Sequence, residues 1–225
     1  MPKVSVRAAS PFLGVDIAVD GILRSENSMV EIKYTGDALW QRIERAVEIV
    51  KDRLLRVTRA LNAAGIPYAV VDGNAVQHWV AQVDESVVRN TRDVDIILYE
   101  SDLQRASEVL AEEGFIYRRS AGVSMFLDGS DAKARDAVHV VFAGKKVRDE
   151  YPEPVPEIDD YVLMEKARTL PLESLVRMKL TSFRDKDRVH VRDMISIGII
   201  DDSWLPRFSP AIQARLRELL DDPDG

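Results

Sequence analysis

The sequence predicts an α+β fold, in which a small mixed β-sheet has helices packed on one side and is followed by a helical C-terminal part. Two observations predict it. Helix-like and strand-like segments alternate from residue 37 to residue 142, and only helical patterns follow residue 172. The 225 residues, 46% of them hydrophobic, suffice to bury one sizeable core.

The N-terminal part divides into two predicted segments. Residues 1–36 show no helical periodicity and read as an extension of short strands or an ordered tail, of unknown role. Residues 37–64 form a predicted amphipathic helix that Gly65 ends, because their apolar side chains recur at helical steps. These apolar residues are Leu39, Ile43, Val47, Val50, Leu54, Val57 and Leu61.

A strand, a tight turn and a helix follow. Residues 67–71 read as a short buried strand, and residues 75–83 as a helix that Asn74 caps. Gly73 would permit a positive φ or a close approach of the backbone, and the amides of the first helical turn would attract an anion such as phosphate. An ordinary capped turn is the other interpretation of Gly-Asn.

Two carboxylates stand in the next predicted strand, residues 91–98. Because the side chains of an extended segment alternate between faces, Asp93 and Asp95 point the same way. A divalent cation would relieve their mutual repulsion, since hard cations prefer oxygen ligands. The alternative is a strand end that faces water, with the acids solvated or paired to Arg89 or Arg92.

The rest of the chain is punctuated by glycine and proline. The remaining predicted elements are a helix over 101–113 capped by Ser101, strands over 115–117, 123–127 and 138–142, a stiff connector at Pro152, Pro154 and Pro156, and helical segments from 172 to 220. We therefore predict an extension over 1–36, an α/β core over 37–150, and a linker with a helical part over 151–225 that closes a cleft.

Charge and composition narrow the function classes. A net charge of −7 argues against broad, sequence-independent binding of nucleic acid, although basic side chains within 145–148 and 166–192 leave room for a local anion groove. The absence of cysteine excludes disulfides and thiolate zinc motifs. No apolar run approaches the length of a membrane span and no signal peptide is evident, so a cytoplasmic location without membrane association is expected.

In its order of strand, Gly73-Asn74 turn, helix and Asp-x-Asp strand, the chain resembles the polymerase-beta-like nucleotidyltransferase superfamily over about residues 40–200. The nearer likeness is to minimal bacterial members, including abortive-infection-type nucleotidyltransferase toxins and uncharacterised relatives with a similar Thr-Arg-Asp-Val-Asp strand. The resemblance implies a nucleotidyltransferase-like fold in which Asp93 and Asp95 bind catalytic Mg²⁺ or Mn²⁺. It also implies nucleotide contacts from Gly73, Asn74, Thr91 and Arg92.

One position departs from the pattern of that superfamily. Such sites use a third carboxylate on a neighbouring strand, and here His139 holds that place. His139 could be a neutral metal ligand, a general base, a hydrogen-bonded core residue or a sign of lost catalysis. Asp136 is offset by three residues and faces the other way, whereas Asp128 and Asp131 stand in a loop that could bring them in.

A lysine interrupts the apolar stripe of the first helix in the C-terminal part. Lys179 falls on that stripe, from which it could snorkel to the rim. The resemblance implies instead that Lys179 contacts the nucleotide triphosphate and that Arg184 adds a phosphate contact. Asp187 and Asp193 would support the site by orienting Arg184 or Arg192 through ion pairs.

The expected function is therefore metal-dependent transfer of a nucleoside monophosphate from a nucleoside triphosphate, such as ATP, to an acceptor hydroxyl. Asp93, Asp95 and His139 would be the catalytic residues. The acceptor could be RNA, a protein or a small molecule. The alternative is a catalytically impaired protein of the same fold that binds a nucleotide or a protein partner, of the toxin-antitoxin or defence type. A plain nucleic-acid-binding module is a third interpretation, which the net charge disfavours.

Overall fold

The structure is a computed structural model that describes residues 16–18, 22–25 and 28–223, with side chains from residue 32 onwards. Its contacts group the chain into two units, residues 1–45 and 46–225. In the first unit, three short antiparallel strands pair in the order β1 (Asp16–Ala18), β2 (Ile22–Ser25) and β3 (Ser28–Glu31). The long helix α1 (Asp37–Ala63) begins in this unit and ends in the second.

The apolar stripe of α1 is buried over only part of its length. Val50, Leu54, Val57 and Leu61 are buried, as the helical periodicity predicts. Leu39, Ile43 and Val47, which continue the same stripe towards the N-terminus, each keep more than two fifths of their surface exposed. Amphipathic spacing therefore predicts the helix correctly but not how much of its apolar face is covered.

A seven-stranded mixed sheet forms the centre of the second unit. Its strands lie in the order β6 (Phe115–Ser120), β7 (Val123–Asp128), β8 (Val138–Phe142), β5 (Val94–Leu98), β4 (Tyr68–Val71), β10 (Ala167–Thr169) and β9 (Val162–Met164). The β5–β8 and β4–β10 pairs are parallel and the other pairs are antiparallel. The sequence did not predict β9 and β10, because each has three residues and they follow a proline-rich segment.

Helices cover both faces of this sheet. They are the C-terminal part of α1, α2 (Asp72–Val80), α3 (Leu103–Glu112), α4 (Leu172–Ser182), α5 (Asp185–Ser196) and α6 (Pro210–Asp221). In β5, Ile96 and Leu98 pack in the cluster of α1 and α3, whereas Ile97 packs in the cluster of α2, α4, α5 and α6. The predicted α+β fold with a mixed sheet and a helical C-terminal part is confirmed, but the prediction of helices on one side is wrong. The alternation along β5 supplies a core on each face.

The turn before α2 differs from the predicted turn. Helix α2 begins at Asp72, three residues earlier than predicted, so Asn74 lies inside its first turn and is not the N-cap. The positive φ falls on Asp72, at 51°, rather than on Gly73. Ser101 likewise does not cap α3, which begins at Leu103 after a short 3₁₀ turn. None of the helices described is long and apolar enough to cross a membrane.

Candidate metal and phosphate site

Asp93, Asp95 and His139 converge at the end of two parallel strands. Asp95 and His139 are direct partners in the β5–β8 pair, and Asp93 immediately precedes β5. The Nδ1 atom of His139 lies 3.6 Å from Asp93 Oδ2 and 3.7 Å from Asp95 Oδ1. One donor atom from each of the three residues lies within 4.8 Å of the other two, so the set could hold a metal ion.

The orientation of the His139 ring leaves one nitrogen facing the acids. Its Nε2 atom lies 2.9 Å from the carbonyl oxygen of Ala134. Because a carbonyl oxygen only accepts, Nε2 carries a proton and Nδ1 is the nitrogen available to a metal. The contact with Asp93 raises the pKa of His139 above its usual 6.5, against the effect of burial. Without a cation, His139 is thus the counter-charge of the acidic pair.

The two acids have opposite environments. The contact with His139, together with a 2.8 Å hydrogen bond from Thr91 Oγ1, lowers the pKa of Asp93 to about 2, although burial opposes this. Burial, followed by repulsion from Asp72 and Asp93, raises the pKa of Asp95 to about 7. A divalent cation would remove that repulsion, and two carboxylates with an imidazole are a donor set that Mg²⁺ and, better, Mn²⁺ accept. The residues therefore fit a metal ion.

Lys179 lies in a cluster of charges on the same face of the sheet. Its side chain is 3% exposed, so the snorkelling interpretation is wrong. Its ammonium group contacts the Asp72 carboxylate and lies 3.0 Å from Asp187 Oδ1. Asp72 also accepts from Lys186 at 2.8 Å and lies 3.6 Å from Arg184 Nη2. We call Lys179, Arg184 and Lys186 the cation cluster; all three lie around the Asp72 carboxylate, and Lys179 and Arg184 also contact Asp187.

Asp72 is ionised in spite of its surroundings. Burial favours its neutral form, but Lys179 and Lys186 outweigh this and hold the pKa of Asp72 well below its usual range. His190 Nδ1 lies 3.9 Å from Asp72 and has no hydrogen-bond partner. Burial and the nearby Lys179 lower the pKa of His190 to about 4, so this ring is neutral at pH 7. Sequence reasoning missed Asp72, Lys186 and His190; the only signal was that Asp72 stands beside Gly73.

The two supporting acids behave differently. Asp187, fully buried, accepts from Ser182 Oγ at 2.7 Å and from Arg184 Nε at 2.7 Å, and so holds Arg184 at the start of α5. Asp193 does not orient Arg192 or Arg184. It accepts hydrogen bonds from Arg89, at 2.5 Å from Nε and 3.0 Å from Nη2. Arg192 instead donates to the Asp222 carbonyl at 3.1 Å, so the predicted Asp193–Arg192 pair is wrong.

One cavity lies between the sheet and the helical part. Asp95 and Lys179 both line it, with Asp72, Arg184 and Asp187, and its volume is about 120 Å³. Apolar side chains of the sheet, α4 and the segment before β9 complete its wall: Val71, Val141, Val147, Val155, Leu175 and Met178. The structure thus brings Asp95 of β5, Lys179 of α4 and Arg184, which precedes α5, to one concave space.

The predicted phosphate turn lies outside this cavity. Gly73 is buried, and a Cβ atom added to it would lie 2.9 Å from both Cβ and Oγ1 of Thr91. Gly73 is therefore required by the close approach of the loop before β5. Asn74 is buried within α2. Arg92 is exposed, and its carbonyl accepts from Arg53 Nη1 at 3.2 Å.

The acids of the predicted loop do not supply a third carboxylate. Asp128 is the last residue of β7 and not a loop residue, and it is held by Arg53 Nε at 3.2 Å and Arg56 Nη2 at 2.6 Å. Asp136 lies 3.7 Å from Arg135. Among the residues that the structure describes, neither of these acids nor Asp131 belongs to a group of potential metal ligands. His139 is the residue that joins the acidic pair.

The solved structures that are similar to this chain include the following three. An antigenic nucleotidyltransferase-like protein from Paracoccidioides brasiliensis is 16% identical, with a TM-score of 0.51 over 80% of this chain and 91% of that one. The antibiotic-resistance factor ANT(2'')-Ia in solution is 10% identical, with a TM-score of 0.48 over 76% and 92%. Its crystal structure with adenylyl-2''-tobramycin is 13% identical, with a TM-score of 0.48 over 74% and 96%. No protein-family model and no curated protein matches the chain. The likeness to the Paracoccidioides protein confirms a nucleotidyltransferase-like fold.

Proposed function

We propose that this chain, whose fold is nucleotidyltransferase-like, is a metal-dependent nucleotidyltransferase that transfers a nucleoside monophosphate from a nucleoside triphosphate to an acceptor hydroxyl. One observation carries the proposal. Asp95, from the group of potential metal ligands, and Lys179, from the cation cluster, line the same cavity. Nucleotidyl transfer needs both a metal site and cations that hold the phosphates, within reach of one substrate.

The metal would be held by Asp93, Asp95 and His139. A bound Mg²⁺ or Mn²⁺ would neutralise phosphate charge and polarise the phosphorus–oxygen bonds. The chain's own contribution is to fix the donors. The Ala134 carbonyl fixes the His139 ring through Nε2, and the Thr91 hydroxyl fixes Asp93, so both present one defined atom.

The cation cluster would bind the phosphates. Arg184 and Lys186 are each about half exposed, so their charged ends can reach a ligand without rearrangement of the core. Arginine offers two parallel donors to a phosphate, and lysine a compact charge. Asp187 keeps Arg184 in place by accepting a hydrogen bond from its Nε atom. Lys179 is buried against Asp72, so it would contact a phosphate only when the Asp72 carboxylate gives way.

The proposal is tested by nucleotide binding and turnover together. Thermal unfolding of the wild type is followed with each nucleoside triphosphate in Mg²⁺ and in Mn²⁺, and pyrophosphate release is measured in parallel. We expect a metal-dependent rise in Tm that Asp93→Asn abolishes and Asp131→Asn, an exposed acid outside the site, retains. Equal Tm values with and without nucleotide, in a folded wild type, would refute the proposal.

One observation favours a second candidate function. Because Lys179 is engaged by Asp72 and Asp187, the cation cluster already has an anionic partner. A catalytically impaired protein that binds a nucleotide, or a protein partner as in a toxin-antitoxin or defence pair, would tolerate that arrangement. Suppose that the chain binds a nucleotide in a metal-dependent way but releases no pyrophosphate from it with RNA, a protein or a small molecule as the acceptor. That result would favour this candidate over the enzyme.

A further inference from the structure

A second concave surface lies beside the candidate metal site. We call it the α1–α2 groove, because it runs between α1, α2 and the β9 edge of the sheet, with a volume of about 510 Å³. Its apolar wall includes Val50 and Leu54 of α1 and Leu163 and Met164 of β9. Leu163 is 64% exposed there, so it adds exposed apolar surface to the groove.

A buried amide in this groove has an unused acceptor. Asn74 lines the groove and is 4% exposed. Gln77 Nε2 donates to the Arg89 carbonyl at 2.7 Å, which turns Gln77 Oε1 towards Asn74 Nδ2, 3.4 Å away. That network assigns the Asn74 amide and leaves its Oδ1 atom buried without a donor. Buried acceptors without a partner are rare in folded proteins, so this atom calls for a donor, which a ligand hydroxyl or an ordered water would supply.

The polar end of the groove adjoins the candidate metal site. Thr91 lines the groove, and its hydroxyl donates to Asp93 at 2.8 Å. Asn74 follows Gly73, which packs directly against Thr91. Lys179 and Arg184 of the cation cluster line the other cavity, and no member of the cluster lines this groove. Within the part of the chain that the structure describes, the two cavities share no lining residue, so a ligand in the groove would leave the phosphate-binding cations free.

The charged residues of the groove indicate what kind of ligand it could bind. Lys51 and Glu165 are its charged lining residues and are opposite in sign, so the groove carries no net charge to attract a polyanion. Val47 and Leu55, both more than a third exposed, extend the apolar wall beyond Val50. The surface suits an uncharged molecule with an apolar body and a hydroxyl group at the end that meets Asn74.

We propose that the α1–α2 groove is the acceptor subsite and that the acceptor is an uncharged small molecule with an apolar body and hydroxyl groups. This inference rests on the proposed function. The acceptor oxygen forms a bond to the α-phosphorus, and the bond from that phosphorus to the bridging oxygen breaks. Pyrophosphate leaves with the electron pair, and the hydroxyl proton passes to solvent. Asn74 binds the acceptor and Thr91 connects the subsite to Asp93.

The test uses n-octyl-β-D-glucoside, below its micelle concentration, as a neutral probe with an apolar chain and hydroxyls. Binding to the full chain is measured by saturation-transfer NMR and calorimetry. We expect the affinity for the probe to fall at least about tenfold in two variants. Leu163→Lys places a charge on the exposed apolar wall, and Asn74→Leu removes the Oδ1 atom that would accept a hydrogen bond from the probe. A twelve-nucleotide RNA should not compete for the site. Arg119→Lys, an exposed change on β6 away from the groove, is the matched control.

The outcomes separate this inference from the proposed function. Loss of probe binding in both variants, with the metal-dependent nucleotide stabilisation of Leu163→Lys intact, supports the acceptor subsite. Probe binding that is absent or equal in wild type and variants overturns it, even where nucleotide stabilisation persists. Competition by the RNA overturns the small-molecule class. If nucleotide stabilisation is absent from the wild type, the proposed function fails, and the acceptor role fails with it.

Discussion

His139 faces Asp95 across the parallel β5–β8 pair, and its Nδ1 atom lies 3.7 Å from Asp95 Oδ1. The imidazole is thereby the third potential donor beside the two carboxylates. Because Nε2 is bound to the Ala134 carbonyl, the ring cannot present its other nitrogen without losing that bond. This relationship makes His139 a potential ligand of the ion that Asp93 and Asp95 would hold.

The first prediction concerns Asp95→Asn and pH. The folded-state pKa of Asp95 is raised from 3.8 to about 7, so between these values the folded chain binds more protons at this site than the unfolded chain. The free energy of unfolding therefore falls as pH rises from about 4 to about 7 and stays lowered above that. In EDTA at pH 8, Asp95→Asn should raise the free energy of unfolding by about 2 kcal/mol.

Urea denaturation at two pH values checks this prediction. At pH 4.5, where Asp95 is protonated in the fold, the variant and the wild type should have nearly equal midpoints. Asp93 behaves oppositely, because its lowered pKa contributes stability above about 4 that is lost as pH falls towards 2. A lower midpoint for Asp95→Asn than for the wild type at pH 8 would contradict this prediction, because it would show that the ionised Asp95 carboxylate does not destabilise the folded chain.

The second prediction concerns the choice of metal. Imidazole is a softer ligand than carboxylate and favours Mn²⁺ over Mg²⁺ relative to a set of three acids. His139→Asp should therefore strengthen Mg²⁺ binding relative to Mn²⁺, whereas His139→Ala should weaken both. Calorimetric titration of each ion, with nucleotide present, gives the ratio of the two dissociation constants. An unchanged ratio in His139→Asp would mean that His139 does not contact the ion.

The third prediction concerns the close contact of Gly73 with Thr91. A methyl group at residue 73 would lie 2.9 Å from two Thr91 atoms, so Gly73→Ala should lower the free energy of unfolding by about 1–3 kcal/mol. The same change should be better tolerated when combined with Thr91→Gly, because the obstructing atoms are then gone. A double-mutant cycle in urea measures this coupling, and strictly additive effects would argue against the contact.

The fourth prediction concerns Asp128, an acid that does not belong to the site. Asp128 pairs with Arg53, whose side chain is 5% exposed, and with Arg56. Asp128→Asn leaves buried charge incompletely paired and should cost about 2 kcal/mol of unfolding free energy without changing metal affinity. Asp131→Asn, nearby and exposed, should change neither quantity. A loss of metal affinity in Asp128→Asn would place this end of β7 closer to the ion than the structure does.

The fifth prediction concerns the Asp72 carboxylate. Because all three cations of the cluster contact this carboxylate, Asp72→Gly should raise the affinity for pyrophosphate several-fold, and glycine suits the φ of 51° at this position. Asp185→Gly, an exposed acid of α5, is the comparison. Calorimetry with pyrophosphate in EDTA avoids any contribution from metal. Weaker binding by Asp72→Gly would indicate that Asp72 organises the cluster rather than occupying it.

Local patterns predicted the strand that carries the acids and the strand that carries His139. Alternation along the strand places Asp93 and Asp95 on one face, and that much is readable from spacing, whereas the place of His139 beside them was implied by the resemblance. The charge cluster was not readable. Asp72 and Lys179 are 107 residues apart, and the many acids and arginines between 184 and 193 allow several pairings of similar energy. Asp193 pairs with Arg89, which lies 104 residues away, so spacing along the chain could not predict this pair.

The groove and the two small strands escaped prediction for related reasons. Strands β9 and β10 have three residues each, too few for alternation to be recognised. The groove they border is formed by α1, α2 and β9 together, and its defining feature is an unpaired atom of Asn74. Whether an amide is paired depends on its neighbours in three dimensions, here Gln77 and Arg89. From the sequence alone, Asn74 was predicted to be a helix cap.

The central claim is that His139 completes a metal site with Asp93 and Asp95. Electron spin echo envelope modulation of Mn²⁺, bound to the full chain with a nucleoside triphosphate, tests it most directly because coupled nitrogen identifies an imidazole ligand. We predict ¹⁴N modulation in the wild type and in His190→Gln, whose ring belongs to the neighbouring Asp72 group, and its loss in His139→Gln. Modulation that persists in His139→Gln, or that is absent from the wild type while Mn²⁺ is bound, would contradict the account.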